Sequence, residues 1–261
     1  MRFRLITMLV TIMFLCIVDA NPIASSVGAR HVLSSCKEET FYTAADYVQD
    51  GLIALWDGIE NIGYGLHDDA PEYWVDITGG GADWLLRDHH ADTPFGIGVD
   101  YVQILTGVSY NGRGHCSPSW ASPDEIKILE MVLDESEYDS SQSSTMQLLA
   151  LGVSNGNFMQ RIQLQGLTVA SLYGQLTSFN LTGGHDAFSL EFGSSVILNG
   201  TAIPLSKSFF AQYTYYPPVL GGYAIGVPVG IKIKCMRLYG RSLTDKERLY
   251  NYAVDKARFG L

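Results

Sequence analysis

The most constraining feature of this sequence is a succession of short apolar or alternating segments separated by Gly, Asn, Asp and Pro. In residues 187–192, AFSLEF, large apolar side chains alternate with serine and glutamate, which is the two-residue period of a half-buried strand. No strand-helix alternation, no nucleotide-binding glycine pattern between a strand and a helix and no long repeat accompanies these segments. The sequence therefore predicts an all-β fold, an antiparallel β-sandwich. The predicted strand segments are residues 51–56, 73–77, 126–133, 145–153, 158–165, 187–192, 195–203 and 208–216.

One turn is predicted with particular precision, at Asn199 and Gly200. These residue types supply the two positive φ angles of a type I′ turn, and apolar, β-branched residues lie on both sides of them. Residues 196–198 and 201–203 are therefore expected to form a β-hairpin.

A single helix is predicted, near the end of the chain. Thr244 followed three residues later by Glu247 is a capping box, which predicts a helix over residues 245–256. We expect its buried stripe to cover part of the sandwich. That stripe is predicted to contain Leu249, Tyr252, Ala253 and Lys256.

The N-terminal segment has the pattern of an export signal. Two arginines precede the apolar residues 5–18, which are too few to span a membrane. The pattern predicts a signal peptide over residues 1–20, a linker over 21–38 and one domain over 39–261. The protein is accordingly expected to be secreted or at the cell surface, with no stable membrane insertion after signal removal. Residues 33–36, LSSC, resemble a bacterial lipobox but lie well beyond the apolar segment, so lipidation stays an open alternative.

The net charge restricts the classes of partner, and the cysteine content restricts the possible disulfides. A net charge of −10 repels phosphate backbones, so nucleic acid is not an expected partner. Without Cys16 of the signal, Cys36, Cys116 and Cys235 remain, which allows at most one intramolecular disulfide. Cys235 is expected to be buried, on the same strand face as Ile231 and Ile233.

Two segments carry a family resemblance. Residues 47–81, which begin YVQDGLIALWDG, and residues 231–261, which begin IKIKCMRLYGRSLTDKE, resemble the flanks of laminin G-like, concanavalin A-like lectin/glucanase domains of secreted bacterial proteins. The resemblance implies a jelly roll of two curved antiparallel sheets with a short C-terminal helix. It also implies a non-catalytic module that binds a polysaccharide, a glycoprotein glycan or a surface protein. Arg237, Tyr239 and Arg241 of the closing motif are expected to be structural, because they can anchor carboxylates or carbonyls.

A catalytic alternative rests on Glu125 and Glu130. Glucanases with the implied fold carry paired glutamates in a strand reading EIDIxE, and a retaining glycosidase needs two such carboxyls about 5 Å apart. This chain reads EIKILE, with Lys127 at the position of the auxiliary aspartate. A lysine there lowers the pKa of neighbouring carboxyls and opposes the protonated acid that catalysis requires. The sequence therefore favours a non-catalytic protein, with Glu130 at an edge or exposed position of an ordinary core strand.

The remaining candidates concern metal and sugar. No cofactor is predicted; calcium is the alternative, suggested by the acidic segments 67–72 and 133–139, and the two histidines of residues 87–92 are a weaker metal candidate. Sugars require exposed aromatic faces beside polar groups. The aromatic-rich segments 110–120 and 213–216 meet this requirement, whereas Trp56 and Trp74 are expected in the core. The predicted ligand-binding residues are Tyr110, Asn111, Arg113, His115, Trp120 and Tyr215.

Overall fold

A computed structural model describes residues 41–60, 73–85, 95–104, 114–116, 126–137, 145–154, 157–165, 167–172, 178–191, 194–203, 219–220 and 231–261. The predicted signal peptide, the predicted linker and the predicted strand segment 208–216 lie outside these ranges. The described chain forms two antiparallel sheets and one α-helix, which confirms the predicted all-β sandwich with a C-terminal helix.

The first sheet has eight described strands in the order β14-β13-β12-β7-β16-β5-β4, and β1 also pairs with β16. Strand β16 pairs with β7 along one side, and with β5 and β1 in succession along the other. The two ends of the domain are thus joined edge to edge. The strands are β1 (Leu52–Asp57), β4 (Phe95–Ile97), β5 (Val102–Ile104), β7 (Ile128–Asp134), β12 (His185–Glu191), β13 (Ser195–Leu198), β14 (Thr201–Ile203) and β16 (Ile231–Tyr239).

The second sheet has eight described strands in the order β11-β10-β9-β8-β15-β6-β3-β2. All of its described pairs are antiparallel. Its strands are β2 (Tyr73–Trp74), β3 (Trp84–Leu85), β6 (Gly114–Cys116), β8 (Thr145–Ser154), β9 (Asn157–Gln165), β10 (Thr168–Leu172), β11 (Ser178–Asn180) and β15 (Val219–Leu220).

The main core lies between the two sheets. Trp56 of the first sheet and Trp84 of the second are both fully buried, with ring centroids 5.5 Å apart, and the indole of Trp56 donates to the carbonyl of Ala82. Trp74 is also fully buried, so the prediction that Trp56 and Trp74 belong to the core is confirmed. The three indoles contribute a large share of the apolar area that holds the sheets together.

The predicted hairpin is confirmed. Strands β13 and β14 pair in antiparallel register around Asn199, which has a φ of 48°, and Gly200, which has a φ of 76°. Asn199 accepts the amide of Ala187 through its side-chain oxygen, so the turn is also fastened to β12.

The helix α1 (Asp245–Phe259) begins at the predicted capping box and extends three residues beyond the predicted end. The amide of Glu247 donates to Thr244 Oγ1 at 3.3 Å, and the amide of Thr244 donates to a Glu247 carboxylate oxygen at 2.8 Å. Gly260 ends the helix with a φ of 71°, in the left-handed region that glycine adopts readily.

The buried face of α1 differs from the prediction. Leu249, Ala253 and Lys256 of the predicted stripe are exposed. The buried side chains are instead Arg248, Asn251, Val254, Asp255 and Phe259. Polar residues lie inward because the face of the first sheet beneath the helix includes Glu130, Ser189 and Arg237 among its apolar residues, and α1 bonds to all three.

The prediction for Cys235 is half right. The residue is fully buried and has no disulfide, but it does not share a face with Ile231 and Ile233. Those isoleucines belong to the core between the sheets, whereas Cys235 packs with Val254 and Phe259 of the helix layer. The register of β16 against β7 shifts between Ile233 and Cys235, and such a bulge turns the following residues to the opposite face.

Candidate functional site

Glu130 lies in the middle of β7, on the sheet face that α1 covers. It is 1 % exposed, so the expectation of an edge or exposed position is wrong. The row of alternate residues along β7 that includes Glu130 packs against the helix layer, while Leu129 and Met131 point into the core. Strand β7 is therefore buried on both faces, and Glu130 is enclosed.

Arg237 of β16 is the ionic partner of Glu130. Its Nε lies 2.9 Å from Glu130 Oε2, and its two terminal nitrogens lie 2.6 Å from the two carboxylate oxygens of Asp255 in α1. The guanidinium stacks over the ring of Tyr47, 3.9 Å from the centroid. All three guanidinium nitrogens therefore donate to buried side chains of this cluster.

Two further polar residues complete this cluster. Asn251 of α1 donates from Nδ2 to Glu130 Oε2 at 2.8 Å and to the hydroxyl of Tyr239 at 2.9 Å. The Tyr47 hydroxyl donates to Asp255 at 2.8 Å. The predicted structural role of Arg237 and Tyr239 is thus confirmed.

The buried ionisable groups of this cluster shift one another's pKa values. Burial raises the pKa of the Glu130 carboxyl, and the charge of Arg237 opposes that rise. Burial also lowers the pKa of Arg237, but the adjacent carboxylates more than compensate and hold it above its ordinary value. Arg237 thus places one guanidinium between two buried carboxyl groups, those of Glu130 and Asp255.

Glu130 is consequently in no position to attack a sugar. A glycosidase carboxyl has to reach the anomeric carbon or the glycosidic oxygen, whereas Glu130 is enclosed by the helix and bound to Arg237. Glu125, the other member of the candidate catalytic pair, lies outside the described residues. Lys127, between them in sequence, is exposed immediately before β7.

Of the predicted ligand-binding residues, one lies within the described ranges. His115 lies in β6, where its backbone pairs with Val219 of β15 on one side and Leu85 of β3 on the other. Tyr110, Asn111, Arg113, Trp120 and Tyr215 lie outside the described residues. The predicted set therefore stays a prediction.

Metal candidates are only partly covered by the described chain. Within the described ranges no group of three or more His, Cys, Asp or Glu side chains converges as a metal site would require. Residues 67–72 and 87–92 lie outside the description. In the segment 133–139, Asp134 accepts from the amide and the hydroxyl of Ser136 and so caps its own turn.

Sequence reasoning missed two polar features. Arg248 of α1 donates to the Ser189 and Ser195 hydroxyls at 2.8 and 2.6 Å, which ties the helix to β12 and β13. Glu135 and Asp186 are both buried at the end of the first sheet. The available signal was strand alternation in β7 and β12: it places Glu130 and Ser189 opposite their apolar neighbours, in outward-facing rows.

The described chain includes no helix of the length and apolarity needed to cross a membrane.

Comparisons with known proteins show similarity at the level of structure. No family model and no curated protein matches the sequence. A Trypanosoma rangeli sialidase solved with sialic acid aligns with a TM-score of 0.55 at 12 % identity, over 80 % of this chain and 33 % of that one. The binding domain of botulinum neurotoxin DC, solved with rat synaptotagmin II, aligns with a TM-score of 0.55 at 11 % identity, over 80 % of this chain and 52 % of that one.

A structure of botulinum neurotoxin type C, whose cell entry is described as dependent upon interaction with two ganglioside molecules, aligns with a TM-score of 0.54 at 11 % identity. The alignment covers 78 % of this chain and 51 % of that one. The present chain thus spans about a third of the sialidases and about half of the toxin chains. At these identities the likeness establishes a shared β-sandwich fold.

Proposed function

We propose that this protein is a secreted or cell-surface, non-catalytic binding module of the laminin G-like, concanavalin A-like kind, and that its ligand is a glycan. The observation that carries the proposal is the β-sandwich fold shared with a sialidase solved with sialic acid and with a toxin whose cell entry is described as dependent on interaction with gangliosides. The enclosure of Glu130 by Arg237 and α1 argues against the alternative, a glycoside hydrolase that uses Glu125 and Glu130.

The second sheet is the better candidate for the ligand surface. Among the described elements, the one α-helix lies against the first sheet, in contact with β12. The outer face of the second sheet is not covered by that helix. A glycan needs an accessible platform, and this sheet also contains β6 and β15, the strands nearest in sequence to the predicted aromatic residues.

Strand register supports a site that combines the two aromatic segments. His115 pairs with Val219 and Gly114 with Leu220, so β6 and β15 run in opposite directions side by side. Chain that follows β6 and chain that precedes β15 therefore leave the sheet at the same end. Trp120 follows β6 and Tyr215 precedes β15, and we place both in one binding site. His115 belongs to β6 itself, whereas Tyr110, Asn111 and Arg113 precede β6, so by the same reasoning they would approach the sheet from its other end and form a separate group of contacts.

The test is binding of residues 21–261 to a glycan array that includes sialylated glycans and gangliosides. Trp120→Ala is expected to weaken binding about tenfold or more, because a stacked aromatic side chain is a typical hot spot. Tyr73→Ala is the matched control, since Tyr73 is a half-exposed aromatic residue of the same sheet and should leave affinity unchanged. Unchanged affinity in a folded Trp120→Ala variant would contradict the proposed site.

The hydrolase alternative is tested in parallel by a reducing-sugar assay on β-glucans. We expect no release of reducing ends. Release that disappears in Glu125→Gln would overturn the non-catalytic assignment. Binding to a surface protein in place of any glycan on the array would preserve the module but replace its ligand class, and absence of both ligands would indicate a structural or adhesive spacer.

A further inference from the structure

Two buried acidic side chains meet at one end of the sandwich, Glu135 directly after β7 and Asp186 in β12. They are 2 % and 0 % exposed. Leu133 pairs with Asp186, and the Glu135 amide donates to the carbonyl of Gly184 at 2.8 Å. Glu135 and Asp186 are therefore diagonal neighbours on the same sheet face as Leu133, which lies in the core, and diagonal neighbours are within reach of long side chains.

Hydrogen-bond donors are distributed very unequally between the two carboxyl groups. Asp186 accepts the Thr182 amide at 2.6 Å, the Thr182 hydroxyl at 3.0 Å and the side-chain amide of Asn199. Within the described chain, neither side-chain oxygen of Glu135 has a hydrogen-bond partner. A buried ionised carboxylate without donors is costly, whereas a protonated one can donate to its neighbour.

Within the part of the chain that the structure describes, no cation is paired with either acid. Neither Glu135 nor Asp186 has a salt bridge with Lys, Arg or His among the described residues. The nearby titratable groups alternate onto the other sheet face: Asp134 lies 3.9 Å from His185 and 4.0 Å from Lys232, and Lys232 bonds Glu137 at 2.7 Å. Lys232 therefore lies beside Asp134 and Glu137 and not beside Glu135 or Asp186.

We propose that Glu135 stays protonated in the folded protein and donates to ionised Asp186, forming a proton-dependent latch that fastens the β13–β14 hairpin to the end of β7. The connection runs through Asn199, whose side chain bonds both Asp186 and the amide of Ala187. Ionisation of Glu135 places a second negative charge beside Asp186 and weakens the hold on this turn. The latch makes the hairpin sensitive to alkaline pH.

The direction of the pH effect follows from proton linkage. Burial, and then the charge of Asp186, raise the pKa of Glu135 from its ordinary 4.5 to about 9. Between these two values the folded state holds a proton that the unfolded state has released. The unfolding equilibrium constant should therefore rise with pH, by up to about tenfold per unit in this window, and level off above it.

The experiment compares urea unfolding of residues 21–261 from pH 6 to 9.5, in buffer containing EDTA, for the wild type and Glu135→Gln. Glutamine keeps a hydrogen-bond donor toward Asp186 and cannot ionise. The pH dependence of the free energy of unfolding should therefore be smaller in the variant by the contribution of one proton, and the variant should be more stable than the wild type at pH 8.5. Glu137→Gln is the matched control, an exposed acid two residues away that should retain the wild-type slope. Equal slopes for wild type and Glu135→Gln would overturn the proposal.

A second measurement needs no variant. The carboxyl carbon of Glu135, followed by carbon NMR in the wild-type protein, should titrate near pH 9, and titration below pH 6 would refute the latch. Millimolar Ca²⁺ without EDTA should not change stability. Stabilisation by Ca²⁺ that is lost in Glu135→Gln would show that a cation, and not a shared proton, neutralises the pair.

Discussion

Arg237→Met is expected to lower the free energy of unfolding by about 4 kcal/mol, as the loss of one partner of a buried ion pair does. Methionine fills part of the space of arginine but leaves Glu130 and Asp255 buried without a counter-ion. It also removes the guanidinium that stacks on Tyr47. Urea denaturation followed by tryptophan fluorescence measures the loss.

Arg241 provides a matched control in the same closing motif. Its partners are Asp50, whose side chain is 85 % exposed, and Glu247 at the start of α1, and solvent screens both pairs. Arg241→Met should therefore cost no more than about 1 kcal/mol. Equal losses for the two variants would show that Arg237 acts through general packing and not through its enclosed charges.

Gly58→Ala is the second change with a large expected effect. Overpacking should lower the free energy of unfolding by about 3 kcal/mol or more. A Cβ at this position would lie 2.1 Å from the carbonyl oxygen of Asp100 and 2.9 Å from the amide nitrogen of Tyr101. Both contacts are to backbone, so no side-chain rotation relieves them, and the turn after β1 has to separate from the turn before β5. A thermal melt of the variant checks the prediction.

Gly79→Ala separates this clash from the general effect of replacing a glycine. Gly79 has a φ of 79°, and a Cβ there would meet nothing within 4 Å. The substitution should therefore cost only the backbone strain, about 1 kcal/mol. A Gly58→Ala variant as stable as Gly79→Ala would contradict the close approach of the two turns.

Local rules succeeded where a few neighbouring residues determine the outcome. The turn at Asn199 and Gly200 follows from backbone angles, and the start of α1 follows from the reciprocal bonds of Thr244 and Glu247. These features need no knowledge of distant contacts.

Predictions failed where the face that a residue occupies depends on the surface against which its element packs. The face of α1 was assigned from apolar side chains, but Glu130 and Arg237 beneath it bind Asn251 and Asp255 instead. The face of Cys235 was assigned from regular alternation, and a bulge reversed it. The polar residues of the sheet face do alternate with apolar ones in the sequence, but nothing local shows that a helix covers them, and the bulge has no signature in the local sequence.

The candidate ligand site is the part least accessible to sequence reasoning. Aromatic residues in a sandwich serve the core or a ligand, and composition alone does not separate the two uses. Trp56 and Trp84 are core residues, whereas Tyr73 is half exposed. The assignment of Trp120 and Tyr215 to one site depends on the pairing of β6 with β15, which only the structure supplies.

The central position of β16 constrains how the protein is made. This strand is translated after every other strand of the first sheet, yet β7 lies along one of its sides and β1 along the other. A ribosome-bound chain that has not passed Tyr239 therefore presents two unpaired strand edges, which invite intermolecular association.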